Sequence, residues 1–371
     1  MFALWARFIH WQIGACGLRL AGRERYMGIN MKILMIGLGS IGQRHVRNIR
    51  RIYGDDIELS AYRVRRLQQT FSDAMQIRDG VNLEEEYKIT CYSDLDEALT
   101  RKPDIVYVTN ITSKHMECAL KAAKAGCHIF LEKPVSDSME GVKELEQIVK
   151  ENGCKVFMGY QNRYHICVLR LREYLQQNRI GNLISVDAAF CERLATMHSY
   201  EDYAGTYMAN KSMGGGPVLN LQIHDIDILQ WIFGMPKEGS LQAIMGTHSN
   251  LKIDVEDHAV ISYVADYQGR EVTVTTRSDF LQYPPVHRMT VVGETGRIEL
   301  DFNQAKIELI PGEGEVITEV FDSFQRNDMF ISELKDFMES VTKDAPLKIP
   351  LEEGIKGLQI VMEAKKFAGR M

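Results

Sequence analysis

From Met31 onward the chain alternates short apolar runs with stretches in which apolar residues return every three or four positions. Lys32–Ile36, Ile57–Ala61, Ile105–Thr109, His128–Leu131 and Lys155–Met158 are short, apolar and free of proline, the pattern of strands buried on both faces of a parallel sheet. The stretches between them are amphipathic; from Ser113 to Ala125, Met116, Leu120 and Ala123 share one helical face. Ser93-Asp94 and Ser136 to Ser138 carry helix-start chemistry, and Gly126 and Gly153 helix-stop chemistry. Repeated β-α units of this kind predict an α/β fold with a doubly wound parallel sheet.

The pattern changes after Gly181. Ile184–Phe190, Leu241–Thr247, His258–Ala265, Glu271–Ser278, Met289–Val292, Arg297–Asp301 and Lys306–Ile310 read as strands, with mostly turn-length gaps such as Gly293-Glu294-Thr295-Gly296. Such meanders predict a large, mainly antiparallel open sheet in a C-terminal α+β domain. Helices are expected near Asp328–Val341 and Leu351–Phe367. The expected division is a dinucleotide-binding Rossmann domain over 31–155, a substrate and oligomerisation domain over 156–345, and a C-terminal helix within 346–371 packed back on the Rossmann domain.

Composition narrows the class. With 371 residues, 45% hydrophobic and 25% charged, the chain can hold two ordinary cores. A formal net charge of -6 argues against nucleic acid or an anionic membrane surface as partner. Cys16, Cys91, Cys118, Cys127, Cys154, Cys167 and Cys191 are odd in number and lack CxxC spacing. They read as reduced thiols of a cytoplasmic protein, neither a disulfide framework nor a metal site. No apolar run reaches the length of a membrane-spanning helix.

The first thirty residues fit this picture poorly. The apolar stretch of Met1 to Ala21 is broken by His10-Trp11-Gln12, which argues against a cleavable signal. Gly22-Arg23-Glu24-Arg25 can be written in purine-only codons resembling a bacterial ribosome-binding site, just before Tyr26-Met27. Translation is therefore expected to begin at Met27 or Met31, and residues 1–30 to be a non-native or disordered extension.

Gly37-Leu38-Gly39-Ser40-Ile41-Gly42 is a complete GxGxxG between the first strand and a helix. Gly37 makes a tight turn, Gly39 admits a pyrophosphate to the backbone, and Gly42 lets helix and strand pack closely. The helix N-terminus, from Ser40 and Ile41, offers free N–H groups to phosphate. An NAD-binding unit places an acidic residue about 20 positions further on. Here Tyr62 stands there, followed by Arg63, Val64, Arg65 and Arg66. Guanidinium groups match a 2′-phosphate, so Arg63, with Arg65 or Arg66, points to NADP, with NAD the other option.

Glu132-Lys133-Pro134 follows the strand His128–Leu131, at the sheet edge where open α/β folds bind ligands. A lysine beside a positive nicotinamide ring should lose proton affinity and exchange a proton with a substrate hydroxyl. From Met31 to the C-terminus the chain resembles the Gfo/Idh/MocA family of oxidoreductases. The resemblance is carried by the Gly37–Gly42 loop, Thr109-Asn110-Ile111-Thr112-Ser113-Lys114-His115, Glu132-Lys133-Pro134, Gly159-Tyr160-Gln161-Asn162-Arg163-Tyr164-His165, and Gly214-Gly215-Gly216 followed by His224-Asp225-Ile226-Asp227.

That resemblance implies hydride transfer between nicotinamide C4 and a secondary alcohol of a sugar, nucleotide-sugar or cyclitol. Lys133 and His224 are the implied catalytic pair. Asn220 stands where the family often has aspartate, and an amide can position a hydroxyl but cannot accept its proton. Asn220, Arg163 and Tyr203 are the implied substrate contacts, Tyr203 within the cluster Tyr200-Glu201-Asp202-Tyr203. Asn110, Thr112, His115, Glu132 and Lys133 are implied to line the cofactor. A homodimer or homotetramer is implied as well. Two rival activities come with the family: a glycosidase that uses tightly held NAD only transiently, and a dinucleotide-binding regulator without catalysis.

Overall fold

The computed structural model describes residues 31–64, 69–72, 77–78, 81–198 and 200–370. The extension expected over 1–30 lies outside the described residues, as do Cys16, Arg65 and Arg66. The first sheet contains β1 (Met31–Ile36), β2 (Ile57–Tyr62), β3 (Ile89–Tyr92), β4 (Ile105–Val108), β5 (His128–Glu132) and β6 (Val156–Gly159). Its order is β3-β2-β1-β4-β5-β6, and every pairing is parallel. Strand order reverses between β1 and β4, the switch point at which such sheets hold ligands beyond their carboxyl ends.

Sequence pattern missed β3. It is an edge strand in which only Ile89 is buried, so neither alternation nor a long apolar run marks it, and pairing with β2 decides its state. Helices α1 (Ser40–Tyr53), α2 (Leu95–Thr100), α3 (His115–Lys124) and α4 (Val142–Asn152) connect these strands. Asp94 caps α2, its carboxylate accepting the Glu97 N–H at 2.8 Å, and Gly153 closes α4 at φ 65°. Ser136 to Ser138 do not cap α4, which starts from Gly141; Ser136 Oγ instead takes the Ser138 N–H (3.4 Å) in a local turn.

The second sheet contains β7 (Leu183–Cys191), β8 (Gln242–Gly246), β9 (His258–Tyr267), β10 (Arg270–Asp279), β11 (Val286–Gly293), β12 (Gly296–Asp301), β13 (Lys306–Pro311) and β14 (Ile317–Val320), in the order β8-β9-β10-β7-β11-β12-β13-β14. It is antiparallel apart from the β10–β7 pair. Along β9, Ala259, Ile261, Tyr263 and Ala265 are buried while their neighbours are more open, the alternation of a sheet with one packed face. Helices α5 (Ile166–Gln176) and α6 (Ile223–Phe233) cover that face. Helix α7 (Arg326–Lys343) reaches α1, and α8 (Leu351–Phe367) packs on α6 and on β6 of the first sheet. Among the described residues no helix is long and apolar enough to cross a membrane.

Arg163, expected to contact substrate, ties these layers together. It is buried, and its guanidinium donates to both carboxylate oxygens of Asp227 on α6 (2.8 and 2.6 Å) and to Glu353 on α8 (2.9 Å). The Trp231 ring lies 4.7 Å from its central carbon. Every charge in this group has a partner, so the network fixes helix positions, with Nε and Nη2 of Arg163 both occupied. Arg163→Met should lower the unfolding free energy by about 3–5 kcal/mol in urea titrations, because it strands the buried Asp227 carboxylate. Full stability with weakened sugar binding would support the substrate role instead.

Candidate active site

The glycine loop leaves β1 at the switch point. Gly37 has φ 94°, and a Cβ there would lie 3.0 Å from the Asn110 backbone, so the turn brings two strand ends together. A Cβ on Gly42 would come within 2.8 Å of Thr109 Oγ1, which explains glycine where α1 rests on the sheet. Gly39 differs: a Cβ there meets nothing within 4 Å, so the loop is open on that side. Gly39 also caps α1 without a side-chain hydrogen bond, leaving the N–H groups of the first turn, from Ser40 and Ile41, unclaimed by a cap. A bare cradle of this kind fits the pyrophosphate of a dinucleotide.

Neighbouring loops are held by side chains expected to touch cofactor. Both His115 ring nitrogens meet backbone carbonyls, of Pro134 (2.7 Å) and Asn110 (3.1 Å), and burial depresses its proton affinity. His115 therefore pins the loop after β4 to the loop after β5, as a support behind the cofactor wall. The Asn110 side-chain amide donates to Cys118 Sγ (3.3 Å), and its buried Oδ1 has no partner among the described residues. Thr112 is buried against Gly214, where a Cβ would lie 2.7 Å from the threonine Cβ.

Arg63 departs most from expectation. It is buried, with Nη1 3.5 Å from Glu84 and 3.9 Å from Cys91 Sγ. Its guanidinium is thus engaged with β3 and the short helix Leu83–Tyr87 before it, while Arg65 and Arg66, which shared the expected NADP contact, lie outside the described residues.

Lys133 projects from the end of β5 towards the second domain. Its Nζ donates to the Asn220 carbonyl at 2.9 Å, across the gap between the two sheets. Burial pushes its amine down to about 8; the Glu132 carboxylate opposes that shift and the Arg326 charge adds to it. Asn220 lies in a π-helical turn, Val218–Gln222, that leads into α6. Its side-chain amide donates one N–H back to Gly216 (3.1 Å), so it serves Lys133 with its backbone.

His224 follows on α6. It is 6% exposed, its Nδ1 has no partner among the described residues, and burial followed by the Lys133, His287 and Arg326 charges hold its ring well below the usual imidazole range. Behind it His287 pairs with Asp225 (2.9 Å) and is stacked between Phe190 and Phe302 at 4.0 and 3.9 Å.

Comparison with known families decides the assignment. The profile described as "Oxidoreductase family, NAD-binding Rossmann fold" matches residues 31–160, and the "GFO/IDH/MocA C-terminal domain" matches residues 168–299. The chain belongs to the Gfo/Idh/MocA family of oxidoreductases. Among similar proteins, myo-inositol 2-dehydrogenase of Thermotoga maritima is 27% identical over 344 residues, 91% of this chain and 96% of the relative. D-glucoside 3-dehydrogenase of Escherichia coli is 26% identical over 61% of this chain and 59% of its own length. The WlbA dehydrogenase of Bordetella pertussis, solved with NADH and UDP-GlcNAcA, superposes with a TM-score of 0.74 at 20% identity over 92% of this chain and 97% of the other. Levoglucosan dehydrogenase, solved with NADH and levoglucosan, does so with 0.76 at 15% identity over 92% and 98%.

Within the Gfo/Idh/MocA frame, several groups around Lys133 carry no strong sequence mark. Arg326, the first residue of α7, is exposed and makes no hydrogen bond or ion pair among the described residues, yet its charge acts on Lys133, His224 and Glu192. Burial raises the Glu192 carboxyl, which the Arg326 and His287 charges partly offset. The helix was expected to start at Asp328; the Gln325 to Asp328 capping box would have placed Arg326 inside it. Tyr207 is raised by burial and by the nearby Glu132 charge.

The tyrosine cluster divides. Tyr200 stacks on His198 (5.2 Å), touches Phe71 (4.9 Å) and hydrogen-bonds Ser40, on the cofactor side. Tyr203, expected to touch substrate, accepts the Lys252 N–H (3.2 Å) and packs in a small satellite core. Gly39→Val should leave thermal stability unchanged, since no chain atom opposes it, and weaken NADH binding at least about tenfold (about 1.4 kcal/mol) in a fluorescence titration. Unchanged affinity would move the cofactor off this loop.

Proposed function

We propose that this oxidoreductase transfers hydride between a nicotinamide dinucleotide and a secondary-alcohol carbon of an acidic sugar, with Lys133 as acid/base. The observation that carries this reading is the meeting of Lys133, His224 and the Asn220 carbonyl beside the open glycine cradle. Bound at Gly37–Gly42, the dinucleotide supplies or accepts the hydride. Lys133 directs one N–H to Asn220, and in its neutral form keeps a lone pair for a substrate hydroxyl. His224, neutral and with Nδ1 unclaimed, orients the same hydroxyl. Asn110 and Thr112 lie on the cofactor wall, and Tyr203 supports the loop that closes the substrate side.

The dinucleotide we propose is NAD(H). A 2′-phosphate would have to draw Arg63 away from Glu84, and two structural relatives were solved with NADH. The acidic sugar rests on Arg326, a guanidinium with no partner among the described residues whose charge acts on Lys133, His224 and Glu192, and which a carboxylate or phosphate would neutralise. The structural relative WlbA, which holds UDP-GlcNAcA, is in keeping with that class. We also propose a homo-oligomer formed through the second sheet, on which Ile184 and Ile244 stand exposed.

Three measurements test this reading. Lys133→Met should lower turnover by about 10²–10⁴-fold while NADH still binds, and near-normal turnover would remove Lys133 from catalysis. Because oxidation needs the neutral amine, its rate should fall as pH drops below about 8, and the reductive rate should fall as pH rises above about 8. Profiles flat across that range would reject the assignment. Arg326→Gln should raise KM for an acidic sugar about tenfold or more and spare neutral analogues; equal effects on both would reject the acidic substrate.

A further inference from the structure

Beneath the loop that presents Lys133 lies a buried group of three titratable side chains. His45 on α1, Glu132 on β5 and Glu333 on α7 each bring a nitrogen or oxygen within 4.8 Å of the others. His45 Nε2 is 2.9 Å from Glu132 Oε1, and Glu132 Oε2 accepts the Lys133 backbone N–H at 3.2 Å. Oε2 is thus an acceptor, and Oε1 is one too when His45 carries its proton on Nε2, the tautomer that leaves the buried, unpartnered Nδ1 without a hydrogen. Glu333 is 0% exposed, and neither of its oxygens has a partner among the described residues. Around the group stand the rings of Tyr107, Phe130 and Phe330, with Tyr164 facing Glu333 from the turn Gln161–Tyr164. Tyr107, the Glu333 neighbour on β4, also has an unpartnered buried hydroxyl. The positive groups nearby are Lys133, on which the Glu132 and Arg326 charges act, and Arg44, whose guanidinium lies over the Phe330 ring.

A carboxylate out of solvent, with no hydrogen bond formed to it among the described residues and a second carboxylate beside it, is driven towards its neutral form. We propose that Glu333 is held as the neutral acid and donates its proton to Glu132, so that the two share one negative charge under the Lys133 loop. No bond to carbon changes; the proton remains on the pair, and a side-chain rotation or one buried water closes the hydrogen bond. Glu132 then keeps three anchors: His45, the Lys133 N–H and Glu333. A second ionised carboxylate would strengthen the hold of Lys133 on its proton and spoil it as a base near neutrality. Glu333 is in this sense a positioning residue for Lys133. That consequence rests on the role proposed for Lys133, whereas the acid pair itself does not.

The test uses the purified full chain at neutral pH without substrate. The infrared spectrum of the wild type minus that of Glu333→Gln should show one carbonyl band of a neutral carboxylic acid, shifted in deuterated water. Should Glu333→Gln fail to fold, Glu333→Met serves for the same subtraction. In parallel, the pH midpoint of Lys133 acylation, followed by mass spectrometry, should be unchanged in Glu333→Gln and lowered in Glu132→Gln. Absence of the band, or a Lys133 midpoint that drops in Glu333→Gln, would mean that Glu333 is ionised and would overturn the proposal. So would one equivalent of divalent metal retained by the wild type and lost in Glu333→Gln, since both carboxylates would then be ligands. Failure of the Glu132→Gln shift alone, with the band present, would overturn only the link to Lys133.

Discussion

The site depends on one hydrogen bond, from Lys133 Nζ to the Asn220 carbonyl. A parallel sheet presents ligands at its carboxyl edge but builds only one wall there. The second wall must come from another layer, and its distance from the first has to be set by something stiffer than apolar contact. Here it is set by a lysine at the end of β5 and a backbone carbonyl in the π-helical turn before α6. A backbone acceptor has no rotamers, so the partner of Lys133 is as rigid as the helix that carries it. This placement also explains how Asn220 can serve the site although its amide is turned back on Gly216.

Two kinds of buried cation stand within a few residues of each other in the fold, and their surroundings separate structure from chemistry. Arg163 has two carboxylates and an aromatic face, so its charge is permanent and its role is to hold α6 and α8. Lys133 Nζ has a neutral carbonyl as its hydrogen-bond partner, and the Glu132 carboxylate and the Arg326 charge act on it in opposite directions, so its charge is poised near the pH at which it is lost. The same contrast applies to histidines. His287 is paired to Asp225 and clamped between rings, whereas His224 keeps a buried Nδ1 with no partner among the described residues. Groups that can exchange protons are those the fold leaves partly unsatisfied.

Much of the architecture was legible in the sequence because it depends on local pattern. Five of the buried parallel strands read directly as apolar runs, and the glycine loop announced itself through backbone needs that Gly37, Gly39 and Gly42 meet in different ways. The edge strands β3 and β14 were not legible, since half-exposed strands carry little apolar signal. Long-range pairing was the other blind spot. Nothing near Arg63 in sequence forecasts Glu84 as its partner, nor does anything near Arg163 forecast Asp227 and Glu353. Both arginines looked like ligand contacts from their neighbours, and the tertiary fold sets beside both of them carboxylates that the local sequence does not announce. Glu333 was silent for the same reason: on a helical pattern it is one more glutamate, and its meaning comes from β5.

Helix α7 shows why those distant pairings matter to the chemistry. Arg326, Phe330 and Glu333 recur at i, i+4 and i+7, which puts them along one helical face. At the top of that stripe Arg326 faces the cleft; one turn on, Phe330 lies against His45 and under the Arg44 guanidinium; two turns on, Glu333 reaches Glu132. Beside the stripe, Asn327 exchanges hydrogen bonds with Asn48 (2.9 and 3.3 Å) and accepts from Arg44 at 3.1 Å, which locks the first turn to α1. A helix docked by apolar contact alone could slide or rotate slightly at little cost. This one is keyed at successive heights by polar contacts that tolerate no such shift. The helix that begins the glycine cradle, the strand that ends in Lys133 and the arginine at the cleft are therefore held in one register.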